Sequence, residues 1–390
     1  MLQWPQIDKE RDVKMTKTPV QLQNLSVRSR IYHTLYEKQD FCSKQTLANE
    51  CGISMPTLYQ KLNELMDDGL VQYSGEERST GGRRAQGLDI VPDARVSVGI
   101  AVSEHQLRFI AADLRLQELA YKTVRYREGE LFSGKKADSI AETLEQFLDE
   151  FEIDRSKLLG VGVTFPALLT ADSKEILFAP TLAMRNVPVS GFVGSIPYPV
   201  YVDNDGSASG HAECFVRKEQ KDMAYLSLEY GVGGAVLMDG QLYRGDSGHS
   251  GEFGHICVEP GGLRCNCGKN GCLEAYCSPL RIERTLGVTT EEFFRGVEEH
   301  RPECEDLLYD MLRHLAVAVN DIRMTLDCDV ILGGFFSEFL VPYLPVIRRY
   351  VLAGNPFDED ADFVQFSSLR RHITPLGAAL YFIREFVNSI

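Results

Sequence analysis

The sequence predicts an α/β protein with a small helical head and a larger body in which one α/β unit occurs twice. Three observations carry this. Apolar side chains in residues 25–68 recur three and four apart, the helical spacing. From Arg95 the pattern changes to short apolar runs, RVSVGIAV, LRFIAADL and LAYKTVRY, which read as three strands in a row. A similar series restarts at Ala224 with YLSLEY, GGAVLMDG and QLYRG. One large doubly wound sheet is the alternative, because periodicity does not separate it from a duplication.

The 390 residues suffice for two or three domains with cores of their own. A hydrophobic content of 44% excludes wholesale disorder. No apolar run approaches the roughly 20 residues that span a bilayer, so no membrane partner is expected. The opening MLQWPQIDKERDVKM carries acids and lacks the apolar core of a secretory signal. The expectation is a cytoplasmic protein whose ten cysteines stay reduced. Net charge is −15, yet residues 1–90 hold 12 basic and 12 acidic side chains, so the acidity lies wholly in the body. A neutral head on an acidic body is a charge asymmetry of the kind seen where the two parts meet different partners.

Residues 1–24 are polar and aperiodic and read as a mobile arm. Residues 25–90 form the head. Ile31, Leu35 and Tyr36 mark the inner face of a first helix, and Ser43 caps a second that runs through Glu50. Gly52 breaks the chain. A third helix from Met55 to Asp68 turns Leu58, Leu62 and Leu65 inward. Two strands follow around the tip Gly81-Gly82-Arg83-Arg84.

This order reads as a winged helix-turn-helix whose third helix lies in a DNA major groove. Ser54, Pro56, Thr57, Tyr59 and Gln60 are its exposed candidates, and no acid occurs between Ile53 and Asn63 to repel phosphate. Arg83 and Arg84 suit phosphates or a narrow minor groove. A protein-binding winged helix is the competing reading.

The segment GEFGHICVEPGGLRCNCGKNGCLEAYC carries the densest chemistry. His255, Cys265, Cys267 and Cys272 lie within 18 residues, with glycines between them for tight turns. Three thiolates and one imidazole make a closed tetrahedral Zn2+ set, structural rather than catalytic because no position is left for water. Cys277 competes for a ligand position. Asn204 and Asp205 end an apolar strand in VDNDGSASGHAE, and Glu252 and Glu274 flank the zinc segment. Carboxylates and amides gathered at strand ends suit sugar hydroxyls. Each taken alone reads equally as a surface acid or a helix cap.

In these motifs the chain resembles the ROK family (repressor, open reading frame, kinase) from about residue 25 to 385. LANECGIS with its wing, VDNDGSASGHAE, GVGGAVLMDGQLYRGDSGHSGEFGH, RCNCGKNGCLE and VILGG carry the likeness. The resemblance implies a duplicated RNase H-like effector domain of the actin and hexokinase type, as a homodimer or homotetramer. It divides the body into a first lobe, 91–206, and a second, 207–390, that holds the zinc segment. It also implies that Asn204, Asp205, Glu252, His255 and Glu274 contact a sugar, with His255 shared between sugar and zinc. Asp205 matches the kinases' general base.

Departures from the family pattern bear on activity. The kinase hairpin Asp-x-Gly-Gly-Thr corresponds to Ala101, Ser103, Glu104 and His105. The second phosphate loop is Leu228-Glu229-Tyr230-Gly231, and the adenosine loop is Gly333-Gly334-Phe335. Phosphoryl transfer rests on positioning and charge neutralisation of the nucleotide, and these positions no longer offer it. Thr181, Met184 and Ser207 replace family residues on the sugar side. The expectation is a regulator, a repressor of carbohydrate metabolism, that binds a double-stranded DNA operator, senses a sugar effector and catalyses nothing, with Asp205 a vestigial base. A ROK sugar kinase with an appended DNA-binding head is the alternative. An interaction module with a vestigial sugar site is the third reading.

Overall fold

The computed structural model describes residues 25–38, 42–76, 86–126, 138–218, 221–369 and 371–390. The expected arm, 1–24, and the tip with Arg83 and Arg84 lie outside the described residues. The head is three helices and a hairpin: α1 (Val27–Glu37), α2 (Lys44–Cys51), α3 (Met55–Asp67), β1 (Val71–Glu76) and β2 (Gln86–Ile90). Each helix begins on a serine whose hydroxyl accepts a backbone N–H three residues on, at Ser26, Ser43 and Ser54. Gly52 ends α2 at φ 62°, a left-handed turn that suits glycine. Leu58, Leu62 and Leu65 are buried against Ile31, Tyr32, Leu35 and Leu47, as the spacing predicts.

The first lobe opens with β3 (Val96–Val102), β4 (Gln106–Asp113) and β5 (Glu118–Arg125), followed by α4 (Asp138–Glu150) and β6 (Leu158–Phe165). Next comes a small antiparallel sheet of β7 (Leu168–Leu169), β8 (Glu175–Ala179) and β9 (Met184–Pro188). β10 (Val200–Asn204) and α5 (Asp205–Arg217) complete this run.

The second lobe continues through β11 (Met223–Leu228), β12 (Val232–Met238), β13 (Gln241–Tyr243), α6 (Leu273–Cys277), α7 (Leu280–Leu286), α8 (Thr290–Glu298) and α9 (Pro302–Leu326). It then runs through β14 (Asp329–Gly333), α10 (Phe335–Leu340), α11 (Leu344–Gly354) and β15 (Val364–Phe366), before α12 (Ile373–Ser389).

The two main sheets are separate and share one topology. Their orders are β10-β6-β3-β4-β5 and β13-β12-β11-β14-β15. In each, an antiparallel three-stranded meander is extended by two parallel strands beside its first strand. The duplication is therefore present, and the single doubly wound sheet is excluded.

One boundary differs from expectation. α12 falls inside the stretch assigned to the second lobe, but it lies on β3, β6 and β4 of the first sheet and against α5. The reason is steric. A Cβ on Gly99 would stand 1.8 Å from the Pro375 carbonyl oxygen, and one on Gly162 would stand 1.9 Å from that of Ala378. The two glycines open a groove into which the helix backbone sinks. β3 is buried along its whole length because α4 covers one face and α12 the other.

The head is seated on the β4–β5 turn and on the end of α12. The Tyr36 hydroxyl donates to the Leu114 carbonyl at 2.7 Å, and Ser29 Oγ donates to the Ile390 carbonyl at 2.6 Å. The Arg115 guanidinium pairs with the Asp89 carboxylate and reaches the Tyr36 and Lys38 carbonyls at 3.4 and 3.0 Å. Both ionic side chains are about four-fifths buried, at 17% and 21% exposure. Arg115→Ala should therefore weaken head seating by about 2–3 kcal/mol, the cost of leaving one charge of such a pair behind, discounted for residual solvent. Hydrogen exchange confined to α1–α3 would read this, and unchanged protection there would refute it.

Candidate functional site

Asn204 and Asp205 sit where β10 hands over to α5. The Asn204 side chain caps the helix: Oδ1 accepts the Ser207 N–H at 3.0 Å and Nδ2 donates to the Ala167 carbonyl at 3.1 Å. Asp205 Oδ1 accepts the N–H of Gly206 at 2.8 Å. Burial raises the Asp205 carboxyl to about 7, and the nearby Glu229 and Glu252 push the same way; the Gly206 N–H and the Arg108 charge pull it down. Burial also raises Glu229 and Glu252.

Gly234 in β12 explains why these distant segments meet. A Cβ on Gly206 would lie 2.7 Å from the Gly234 nitrogen, and one on Gly251 would lie 2.6 Å from its oxygen. The start of α5 and the Gly251 turn both press on one glycine, which draws Asp205 and Glu252 to the same place. Glu252 is 3.9 Å from His255 Nε2. Glu274 Oε2 accepts the Val232 N–H at 3.0 Å, and its Oε1 lies 3.6 Å from Cys265 Sγ. The five sequence-predicted side chains therefore fall along one continuous path, Asn204–Asp205 at one end and Glu274 at the other.

The His255 imidazole divides its two nitrogens. Nε2 faces Glu252, while Nδ1 is 3.9 Å from Cys265 Sγ. Ligand atoms of His255, Cys265, Cys267 and Cys272 all lie within 4.8 Å of one another, so this cluster could hold a metal ion. Cys267 and Cys272 approach to 3.7 Å. The donor set is three soft thiols and one imidazole with no carboxylate, which fits zinc. Cys277 is excluded from it: fully buried, its thiol faces the Met311 carbonyl at 3.4 Å.

The nucleotide-loop positions are knitted to each other. The Phe335 N–H donates to Glu229 at 3.2 Å, and the Tyr230 and Phe335 rings lie 5.2 Å apart. Ala101 is buried, whereas Glu104 and His105 are exposed at the hairpin tip.

On the head, Tyr59 and Gln60 are exposed on α3 and Thr57 is partly so. Ser54 and Thr57 share a hydroxyl hydrogen bond of 2.8 Å at the helix start. The sequence reading missed Lys44 and Tyr73. Lys44 Nζ lies 4.7 Å from the Tyr59 ring centre and 4.9 Å from that of Tyr73, and donates to the Tyr73 hydroxyl at 2.9 Å. α2, α3 and β1 thus contribute to one surface with an ammonium at its centre. No sequence period links residues 44, 59 and 73, so only the fold could show this. Arg244 was missed for the same reason: it grips the Asp203 carboxylate with two contacts of 2.8 Å immediately before Asn204. No helix among the described residues is long and apolar enough to cross a membrane.

Comparison with known proteins places these features. A model described as the ROK family matches residues 97–383. The xylose repressor of Bacillus subtilis is 30% identical over 248 residues, covering 63% of this chain and 64% of the repressor. The DNA-binding transcriptional dual regulator NagC of Escherichia coli is 26% identical over 265 residues, 67% of this chain and 64% of that protein. The alignments thus span somewhat less than two thirds of these relatives' lengths. A crystal structure of a ROK family transcriptional regulator, a homologue of the E. coli MLC protein, superposes with a TM-score of 0.71 at 19% identity, covering 95% of this chain and 97% of that one. The ROK hexokinase of Thermus thermophilus superposes at 0.60 with 25% identity, over 76% and 100%. The latter two share the actin- and hexokinase-like α/β fold.

Proposed function

The chain belongs to the ROK family, and from that premise we propose that it is a DNA-binding transcriptional regulator, a repressor of carbohydrate genes, whose body senses a sugar without phosphorylating it. One observation carries the choice of regulator over kinase: Glu229, Tyr230 and Phe335 close on one another across the positions where a nucleotide would be held. An isolated carboxylate at Asp205 cannot supply the charge neutralisation that phosphoryl transfer needs.

In this reading Asn204, Asp205, Glu252, His255 and Glu274 take the sugar hydroxyls. Zn2+ held by His255, Cys265, Cys267 and Cys272 fixes the His255 ring, so one imidazole serves both the structural cross-link and the ligand. Sugar binding between the lobes favours one lobe arrangement by its differential affinity for it, and the head, seated on β4–β5 and α12, moves with the first lobe. Two heads in a homodimer or homotetramer would then meet half-sites about one DNA turn apart. The cytoplasm is the matching compartment for a regulator whose thiols must stay reduced.

Ser54, Thr57, Tyr59 and Gln60 on α3, with Arg83 and Arg84, are the proposed DNA contacts, and Lys44, set between Tyr59 and Tyr73, is proposed with them. Lys44→Ala should weaken binding to all DNA sequences and lower the salt slope by about one, the signature of a lost phosphate contact. Gln60→Ala should instead alter preference at one base pair in each half-site. If both variants retain wild-type affinity, preference and salt dependence, α3 does not face DNA.

The reading as a whole is tested by screening neutral sugars and sugar phosphates for thermal stabilisation, then measuring operator affinity and ATP consumption with the hit. A sugar that stabilises the protein and changes operator affinity without ATP turnover is expected. Sugar-dependent turnover abolished by Asp205→Ala would establish the kinase instead.

A further inference from the structure

β10 belongs to the first sheet and β13 to the second, and one side chain reaches from the end of β13 to the end of β10. Arg244 Nη1 donates to Asp203 Oδ1 and Nη2 to Asp203 Oδ2, both at 2.8 Å. In this two-pronged grip a planar guanidinium fixes direction as well as distance. The carboxylate end is firmly built in. The Asp203 side chain is 6% exposed. Its Oδ1 also accepts the Asn204 N–H at 2.8 Å, and its Oδ2 accepts from the Tyr201 hydroxyl at 3.1 Å. The Tyr201 ring in turn stacks on Tyr381 of α12, with centres 3.7 Å apart. Asp203 is therefore a fixed point of the first lobe, directly before Asn204 and Asp205. No step of the proposed function uses the ion pair.

The arginine end is a loop. Residues 244–252 form no regular structure and turn through left-handed glycines at Gly245, Gly248 and Gly251. The Arg244 carbonyl accepts the Ser250 N–H at 3.3 Å, which closes the loop on its own base just before Glu252. Arg244 thus holds the first lobe by its side chain and the loop by its backbone. We propose that Arg244 is a positioning residue of the sugar site: its grip on Asp203 sets the loop that carries Glu252, from the second lobe, in register with Asn204 and Asp205 at the end of β10. Packing of Gly251 on Gly234 holds the far end of the loop to its own lobe, and the ion pair holds the near end to the other. A sugar whose hydroxyls are shared between acceptors from both halves tolerates little error, since a hydrogen bond is lost once its atoms part much beyond about 3.2 Å.

This inference rests on the sugar-sensor reading but is tested separately from it. Wild type is compared, as the full chain, with Arg244→Met, Arg244→Lys and the double variant Arg244→Met/Asp203→Asn. Arg244→Met leaves a buried carboxylate without its cation and should lower the thermal midpoint. The double variant removes that charge while its amide oxygen can still accept the Asn204 N–H, so most of the midpoint should return. Sugar affinity should not return with it, because the grip across the lobes is still missing. The probe is the neutral sugar that most stabilises wild type, from a panel headed by D-glucose and D-xylose. Arg244→Met and the double variant should both bind it about tenfold more weakly, the scale of re-ordering one loosened contact. Arg244→Lys should fall between, since a single ammonium replaces the fork. Without any sugar, hydrogen exchange of residues 245–252 should be faster in Arg244→Met and in the double variant than in wild type.

Loop exchange unchanged in both of these variants would overturn the role of Arg244 while leaving the sensor intact. Affinity that recovers together with the midpoint in the double variant would do the same, because that is how a purely stabilising ion pair behaves. Faster loop exchange with no sugar bound by wild type would overturn the sensor reading, and the sugar role with it, and leave only a tie between the lobes. Should Arg244→Met fail to fold, the double variant and Arg244→Lys carry the same comparison against wild type.

Discussion

Cys272→Ser will lower bound metal from one ion per chain to well below that and shift the thermal midpoint downward by 10 °C or more. Cys272 lies at the start of α6, with Cys267 3.7 Å away. The segment between β13 and α6 contains little regular structure, a single short helical turn at Phe253–His255 and isolated bridges at Cys257–Cys272 and Arg264–Asn270. Backbone bonds such as Val258 N–H to the Gly271 carbonyl at 2.8 Å brace this loop, and a metal held by the cluster is the proposed cross-link that ties its ends together. At such sites binding free energy is folding free energy, on the order of 10 kcal/mol in isolated zinc modules. Even half of that would displace the midpoint of a domain this size by roughly 10–20 °C.

The control is Cys277→Ser. Its thiol faces the Met311 carbonyl rather than the cluster, so metal content should be unchanged. Elemental analysis of thiol-protected protein decides the matter: no metal in wild type, or equal loss in both variants, would refute the assignment.

Glu213→Ala should destabilise the protein by about 3–5 kcal/mol, the range for removing one partner of a buried charge pair. Glu213 is fully buried on α5. Its carboxylate accepts from Arg217 Nε at 2.6 Å, from Ser367 Oγ at 2.6 Å, and from the backbone of Ser368 and Leu369 at 2.7 and 3.2 Å. Arg217 continues to the Gln365 side chain and the Phe366 carbonyl at 2.7 and 2.9 Å. The pair ties the interlobe helix to the segment that carries the chain from β15 back to α12. Alanine would take the carboxylate from the Arg217 guanidinium and the acceptor from the Ser368 and Leu369 N–H groups, while the Ser367 hydroxyl keeps the Leu369 carbonyl.

Urea unfolding should show a lower midpoint, and a cycle with Arg217→Ala should show strong coupling because the two side chains share one network. A loss below 1 kcal/mol would mean that water replaces the carboxylate, and the crossover would not be held as described.

Sequence patterns revealed what is local. Ser43 announced a helix start, Leu58, Leu62 and Leu65 announced a buried face, and glycine spacing separated Cys265, Cys267 and Cys272 from ordinary core cysteines. The restart of the strand series at Ala224 announced the duplication. What stayed hidden is long-range. α12 is buried along most of its length, so no polar stripe told which sheet it would cover, and the glycines that receive it lie in β3 and β6. Arg244 is one arginine in a glycine-rich loop until the fold sets it against Asp203. Lys44 gains its setting only when α3 and β1 bring two tyrosines around it. The small β7–β9 sheet escaped because strands of two to five residues leave too few alternations to read.

The path of α12 has a consequence for how the protein is made. The groove over Gly99 and Gly162 is translated early, and the helix that fills it is translated after both sheets. Until it emerges from the ribosome, the first lobe has one open apolar face, and the Ile390 carbonyl that receives Ser29 does not yet exist. Contacts of such high sequence separation form late. A nascent chain can therefore build its three-helix head and dock it on the β4–β5 turn through Tyr36 and Arg115, while the Ser29 contact waits for α12. Premature termination anywhere before α12 leaves an unsealed lobe for proteases and a head held without its α12 contact.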